Sequence, residues 1–161
     1  MLVLALTLQL LTSQTPQRKC ISDYGQTACG YSCIADYGQV RCARTPMGVC
    51  RSDYGKVVCW DPPPVPGAAS WPRATCVSDY GQIACGYSCL SDYSQVRCAQ
   101  TPYGACLADY GKVVCGDPSP DAFAYWGANL PQVECLADSG QVACGYSCIA
   151  DYGRVVCGES P

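Results

Sequence analysis

Apolar and polar residues alternate in short runs along this chain, and the runs recur. In Cys33-Ile34-Ala35-Asp36-Tyr37-Gly38-Gln39-Val40-Arg41-Cys42, alternate positions fall on opposite faces of an extended chain. If Tyr37-Gly38 is a two-residue turn, Asp36 faces Gln39, Ala35 faces Val40, Ile34 faces Arg41 and Cys33 faces Cys42. Glycine at the second turn position suits a type I′ turn, where both central residues need positive φ. Tyrosine at the first position is tolerated there but not favoured. The cysteines then oppose each other at a non-hydrogen-bonded site, with Cα atoms about 4.5 Å apart, which a disulfide accepts.

The same ten-residue unit occurs eight times, and together the units hold all sixteen cysteines. The local pairs are Cys20/Cys29, Cys33/Cys42, Cys50/Cys59, Cys76/Cys85, Cys89/Cys98, Cys106/Cys115, Cys135/Cys144 and Cys148/Cys157. Each unit has a small residue two places after its first cysteine: Ser22, Ala35, Ser52, Ser78, Ser91, Ala108, Ala137 or Ala150. The cross-strand partner is Thr27, Val40, Val57, Ile83, Val96, Val113, Val142 or Val155. With the cysteines these form a thin strip of sulfur and methyl groups, suited to stacking on another hairpin. The opposite face, with Ile21, Ile34, Leu90 or Leu107 beside Arg41, Arg97 or Lys112, is expected to be half exposed. The pattern predicts a small all-β, disulfide-rich fold, a tandem array of stapled β-hairpins. Bridges between neighbouring units, such as Cys29 to Cys33 across Gly30-Tyr31-Ser32, are the competing connectivity.

The units group as three, three and two. Gly-Tyr-Ser joins the first two hairpins of each module. Ala43-Arg44-Thr45-Pro46-Met47-Gly48-Val49 and Ala99-Gln100-Thr101-Pro102-Tyr103-Gly104-Ala105 join the second to the third. Full modules span 20–59 and 76–115, and a truncated one spans 135–157. The linker 60–75 holds Pro62-Pro63-Pro64 and reads as a semi-rigid polyproline II spacer. The linker 116–134 carries Phe123, Tyr125 and Trp126. Linker aromatics are expected to pack on modules that lack large core residues of their own.

Residues 1–14 read as a signal peptide. An apolar run from Leu2 to Leu11 precedes polar Thr12-Ser13-Gln14, although no basic residue precedes the run and no Ala-x-Ala site follows it. Cysteine at about one residue in ten then points to a secreted, oxidised chain. A buried segment is the alternative for the run.

The net charge of −3 argues against nucleic acid and against a basic membrane patch. Eight of the eleven aspartates lie within the units, so the acidity belongs to the scaffold. The leading apolar run is too short for a membrane span, and no other stretch is apolar enough to make one. Cys-x-x-Cys and histidine are both absent, which disfavours zinc, redox and Ser/His or Cys/His catalysis. A single Asp before each turn is not a calcium loop and is explained by its accepting backbone N–H bonds. Only Glu134 and Glu159 break the acidic pattern, and neither forms a recognisable carboxylate pair. No cofactor is expected.

Tyrosine is left. Tyr24, Tyr37, Tyr54, Tyr80, Tyr93, Tyr110 and Tyr152 sit at the turns, with Ser139 in the seventh unit, and Ser94 replaces the turn glycine of the fifth. The tyrosines either bind sugars or protein surfaces or pack between hairpins in place of a core. The Cys-Gly-Tyr-x-Cys and Asp-Tyr-Gly-x-Val pattern, with its Thr-Pro-x-Gly-x-Cys joint, resembles a group of short secreted bacterial cysteine-rich repeat proteins. The resemblance covers residues 20–157 and implies no activity. The expectation is a non-enzymatic secreted protein, structural or multivalent in a matrix or envelope, with self-association within its reach. The alternative is a module for an extracellular glycan or protein, protease inhibitors included.

Overall fold

The computed structural model describes residues 16–161, so the proposed leader lies outside the described residues. Thirteen strands follow in order: β1 (Lys19–Asp23), β2 (Gln26–Asp36), β3 (Gln39–Ala43), β4 (Val49–Asp53), β5 (Lys56–Trp60), β6 (Thr75–Asp79), β7 (Gln82–Asp92), β8 (Gln95–Ala99), β9 (Ala105–Asp109), β10 (Lys112–Gly116), β11 (Glu134–Asp138), β12 (Gln141–Asp151) and β13 (Arg154–Gly158). They form eight antiparallel hairpins, the fold class that the alternation predicts. In the first, Asp23 pairs with Gln26, Ser22 with Thr27, Ile21 with Ala28 and Cys20 with Cys29.

Each hairpin is closed by its own disulfide. The bridges are Cys20–Cys29, Cys33–Cys42, Cys50–Cys59, Cys76–Cys85, Cys89–Cys98, Cys106–Cys115, Cys135–Cys144 and Cys148–Cys157. Bridges between neighbouring units do not form. The surroundings of the bridges differ from the expectation in three ways. The Cα separations are 3.9–4.1 Å, closer than the expected spacing, because the bridge draws the strands together. Cys98 does not oppose Cys89 as a ladder partner. The register runs from Leu90 and Arg97 directly to Tyr87 and Ala99, and Cys33/Cys42 and Cys148/Cys157 are skipped in the same way. A bulge at Gly-Tyr-Ser causes this, so in these three hairpins the bridge spans a break in the ladder. Cys59 and Cys115 do oppose Cys50 and Cys106, but they do not end their hairpins. Trp60 pairs with Val49 and Gly116 with Ala105, so β5 and β10 each run one residue past the last cysteine.

The turns are type I′. The tip tyrosines have φ of 42–46° and the glycines that follow them 75–82°. In the fifth hairpin Tyr93 at 42° precedes Ser94 at 66°, so two side chains occupy left-handed backbone. Such a conformation costs a non-glycine residue roughly 1 kcal/mol. Ser94→Gly is therefore expected to stabilise the protein by about 1 kcal/mol, read from the denaturant midpoint. No gain would mean that the strain is relieved by its surroundings.

β2, β7 and β12 each serve two hairpins and double back at Gly-Tyr-Ser. Ser32, Ser88 and Ser147 there have φ of 46–49°. The reversal brings chain against chain. A Cβ at Gly30 would lie 2.7 Å from the Cys42 Cβ and would strike the Ala43 carbonyl oxygen. Only glycine fits that approach.

Aspartate then ties tip to tip. Each Asp before a turn, except Asp151 of the last hairpin, accepts a hydrogen bond from the turn N–H of the next hairpin. Asp23 accepts from Gly38 at 2.9 Å and Asp36 from Gly55 at 3.1 Å. Asp79, Asp92 and Asp138 continue the series to Ser94, Gly111 and Gly153. It does not stop at the linkers. Asp53 accepts from Gly81 at 2.8 Å, and Asp109 from Gly140 at 2.9 Å. The proline-rich stretches thus do not act as spacers. Hairpin three stacks directly on hairpin four and hairpin six on hairpin seven, and the linkers loop out beside one continuous stack.

Asp53→Ala removes the acceptor at the first of these crossings. A hydrogen bond to a charged group contributes about 1.5 kcal/mol, so the Gly81 amide should exchange about tenfold faster. Asp53→Asn keeps an acceptor oxygen and should leave Gly81 protected. Equal exchange in both variants would show that the bond does not hold the crossing.

The linkers fold back on the stack. Two short 3-10 turns (Ala68–Ser70 and Gly127–Asn129) and a helix α1 (Pro120–Trp126) shape them. Ser119 caps α1, its Oγ accepting from the Ala122 N–H, and Pro120 opens the first turn. Trp71 and Tyr87, 7% and 8% exposed, form the main core cluster with Val49, Ala68, Ala74 and Cys85. Trp60 and Trp71 meet the Tyr87 ring edge-on, at centroid distances of 5.6 and 6.0 Å. Phe123 of α1 lies 5.9 Å from Trp71 and 5.8 Å from Tyr103. Trp60, Trp71 and Phe123 therefore pack as the sequence suggests. Tyr125 does not, being 82% exposed, and Trp126 is 38% exposed.

Candidate functional site

The stack carries one row of hairpin tips, and the tips carry the tyrosines. Tyr24, Tyr37, Tyr54, Tyr80, Tyr93, Tyr110 and Tyr152 are 81–98% exposed. The type I′ turn causes this, because its two left-handed residues project beyond the last strand pair, away from the bridged bases. The Asp ladder then aligns the tips. Tyr37 lies beside Gly55 and Tyr93 beside Gly111, where added Cβ atoms would sit 3.5 and 3.3 Å from the tyrosine side chains. The turn glycines thus leave room for each ring to lean toward the next tip. The rings make only this marginal contact with the protein, so they contribute little burial.

A second row flanks the tyrosines and was not singled out in the sequence. The residue after each turn is exposed and polar: Gln26, Gln39, Lys56, Gln82, Gln95, Lys112, Gln141 or Arg154. Gln39 and Gln95 turn their carbonyl oxygens inward to accept from the Val57 and Val113 N–H groups, at 3.1 and 3.2 Å. The signal was in the repeat all along, as a polar position fixed between glycine and the valine row. The edge therefore offers aromatic faces, phenol hydroxyls, amides and cations in register. Such a set stacks on sugar rings and bonds to hydroxyls.

The cysteines lie elsewhere and do other work. All sixteen are bridged along the stack. They do not form an even strip. Cys85 and Cys98 are buried, Cys59 and Cys115 are half-buried, and Cys20 and Cys29 at the end of the stack are exposed. Among the described residues no three His, Cys, Asp or Glu side chains gather as a metal site. Asp61 and Asp117, which follow the third and sixth units, hold the joints. Asp61 accepts from the Arg44 and Thr45 N–H groups and from the Thr45 hydroxyl at 2.8–3.0 Å, and Asp117 repeats this with Gln100 and Thr101. Their identical offset after Cys59 and Cys115 is the signal that reveals them.

A cleft of about 550 Å³ opens between the linkers, lined by Trp71, Pro72, Pro102, Tyr103, Phe123 and Gly127 among others. No polar side chain buried in the protein is left without a hydrogen-bond partner among the described residues. No helix among them is long and apolar enough to cross a membrane. Compared with protein-family models, curated proteins and solved structures, the chain finds no match.

Proposed function

We propose that the protein is a non-enzymatic extracellular repeat protein that presents its tyrosine edge as a multivalent surface, as a component of a matrix or envelope. One observation carries this reading. Seven tyrosines stand 81–98% exposed on backbone with φ of 42–46°, where Asn or Gly would be less strained. Packing does not explain their choice, since they bury almost nothing. Repetition then lets weak contacts add through effective concentration. Eight disulfides support an oxidising compartment. With no histidine in the chain and every cysteine bridged, no imidazole or thiolate is present to serve as base or nucleophile.

The second reading is a dedicated carbohydrate- or protein-binding module, and the cleft beside Trp71 and Phe123 favours it. Protease inhibition gains less support, because a type I′ tip is too tight to offer an extended segment.

The test replaces Tyr24, Tyr37 and Tyr54 together with Asn, and separately the cleft residue Tyr103 with Ala, and compares the variants on glycan and protein arrays. The tip variant should keep or slightly raise its melting temperature, because Asn accepts left-handed backbone, and should lose most array binding. Binding lost only in Tyr103→Ala would favour the cleft module. A collapsed melting temperature in the tip variant would mean that the tyrosines are structural.

A further inference from the structure

The hairpin stack has a direction. Each hairpin has two unlike faces. One carries its disulfide with the small residue and its Val, Ile or Thr partner. The other carries the residue after the first cysteine with its own cross-strand partner. Inside the stack, the second face of one hairpin covers the disulfide face of the next. Across the first linker, Arg51 Nε donates to Ser78 Oγ at 2.9 Å. Across the second, Cys144 Sγ lies 3.6 Å from the Val114 carbonyl oxygen. Within the modules the covered valines of hairpins three and six are deeply buried, Val57 at 2% and Val113 at 3%, and Val142 at the second crossing is 9% exposed.

Those two crossings matter because the whole of linker 60–75 or 116–134 separates the hairpins they join. The contact therefore forms without a Gly-Tyr-Ser connection to hold it, and its chemistry is that of a docking interface between separate pieces.

At the two ends of the stack the halves of this interface are uncovered. The second face of hairpin eight leaves Ile149 69% and Val156 58% exposed. Leu90, in the same position as Ile149 but with hairpin six beyond it, is only 36% exposed. At the other end, Cys20, Ser22, Thr27 and Cys29 all face outward on the disulfide side of hairpin one. The ladder is unfinished in the matching sense. Among the described residues, Asp151 accepts no N–H and the Gly25 N–H meets no aspartate, whereas the seven internal steps are all made. The flanking charges also match, with exposed Glu159 after β13 and exposed Arg18 and Lys19 at the start of β1.

We propose that the protein assembles head to tail, the outer face of hairpin eight docking on the disulfide face of hairpin one of a second copy, with Asp151 accepting from the partner's Gly25. The interface continues one already made seven times within the chain. Its two sides differ, so it is heterologous and repeats along the stack axis into an open filament rather than closing into a dimer. The tip tyrosines of successive copies then continue one row. The inference concerns the ends of the stack and holds whatever the tyrosine edge binds.

Sedimentation velocity on the oxidised full chain tests it. The wild type should form species heavier than the 17.1 kDa monomer, growing with concentration. Ile149→Lys blocks one end and Thr27→Lys the other. Both substitutions fall on exposed positions of stapled hairpins, and unchanged circular dichroism checks that each folds. Each variant alone should be monomeric. A 1:1 mixture should double the mass and stop there, because only one pair of good faces remains. A monomeric wild type overturns the proposal, as does a mixture that stays monomeric. So does wild-type-like assembly by both single variants, which would place association on another surface. The Tyr24, Tyr37 and Tyr54 variant should still assemble while losing array binding, which separates failure of this inference from failure of the function proposed above.

Discussion

Full reduction and alkylation of the eight disulfides should unfold the protein in the absence of any denaturant. The reason lies in what the hairpins bury. Among the described residues, the hydrophobic side chains at 0–3% exposure are Ala43, Ala99, Val57, Val113 and Val133, and no large side chain is fully buried. A two-stranded hairpin without more support is marginal in water. Each ten-residue bridge contributes about 2.7 kcal/mol by restricting the unfolded chain, and eight of them act along the stack. Hydrogen bonds that each Asp accepts from the neighbouring tip contribute about 1.5 kcal/mol each but need the hairpins already formed. The far-UV β signal and the cooperative melt should therefore both disappear on alkylation. A sharp contrast is expected from removing one terminal bridge. Replacing Cys148 and Cys157 with Ser should fray hairpin eight alone, because each hairpin contacts mainly its neighbours. A fully alkylated chain that still melts cooperatively would show that stacking suffices and that the bridges are secondary.

The hairpin was legible because several constraints agree on it. Ten-residue cysteine spacing, a glycine at the turn and the small residue facing valine all require one register, and a shift of one place would break every one of them. The bulge that takes Cys98 out of the ladder was not legible, because the Cys89 to Cys98 spacing is the same as in the regular hairpins. The overhang of Trp60 and Gly116 past Cys59 and Cys115 was hidden for a related reason, since the repeat itself ends at the cysteine. The stack was harder still to see. Asp53 has its own turn beside it, and nothing in the local pattern says that its carboxylate reaches Gly81, 28 positions along the chain. Pro62-Pro63-Pro64 reads as a spacer for the same reason, since the bonds that bypass it are not local. The helix α1 was missed although Ser119-Pro120-Asp121 is a cap followed by proline at the first helical position. Its seven residues are too few to show a helical period. The tyrosines stood between two readings because composition does not report exposure. The turn geometry does, since positive φ at the tip points the ring away from the neighbouring strands. The cleft was invisible in the sequence, because Trp71, Tyr103 and Phe123 come from three separate stretches.

Trp71→Ala should cost about 3–5 kcal/mol in the docking of the linkers while leaving the hairpins intact. The indole is 7% exposed and stands between the Tyr87 ring and Phe123, so its loss opens a cavity that three elements line. The bonds nearby depend on it. Trp71 N–H donates to the Ala68 carbonyl at 3.2 Å, and the Tyr87 hydroxyl donates to the Pro72 carbonyl at 2.9 Å. The disulfides lie in other elements, so the far-UV spectrum should not change. Amide protection should fall at Ser70, Trp71 and Phe123 only. Tyr87 supplies an independent readout. Burial raises its hydroxyl above the ordinary 10.0, so the docked state keeps the proton after the undocked state has released it. The docked form then binds more protons than the undocked form above that value. Linker docking is fully stable below pH 10.0 and weakens as pH rises past it. In Trp71→Ala the Tyr87 hydroxyl meets water, and its absorbance titration should move down toward 10.0. A variant whose Tyr87 titrates as in the wild type, with Phe123 still protected, would show that the aromatic cluster closes without its tryptophan and that hairpin contacts alone hold the linkers down.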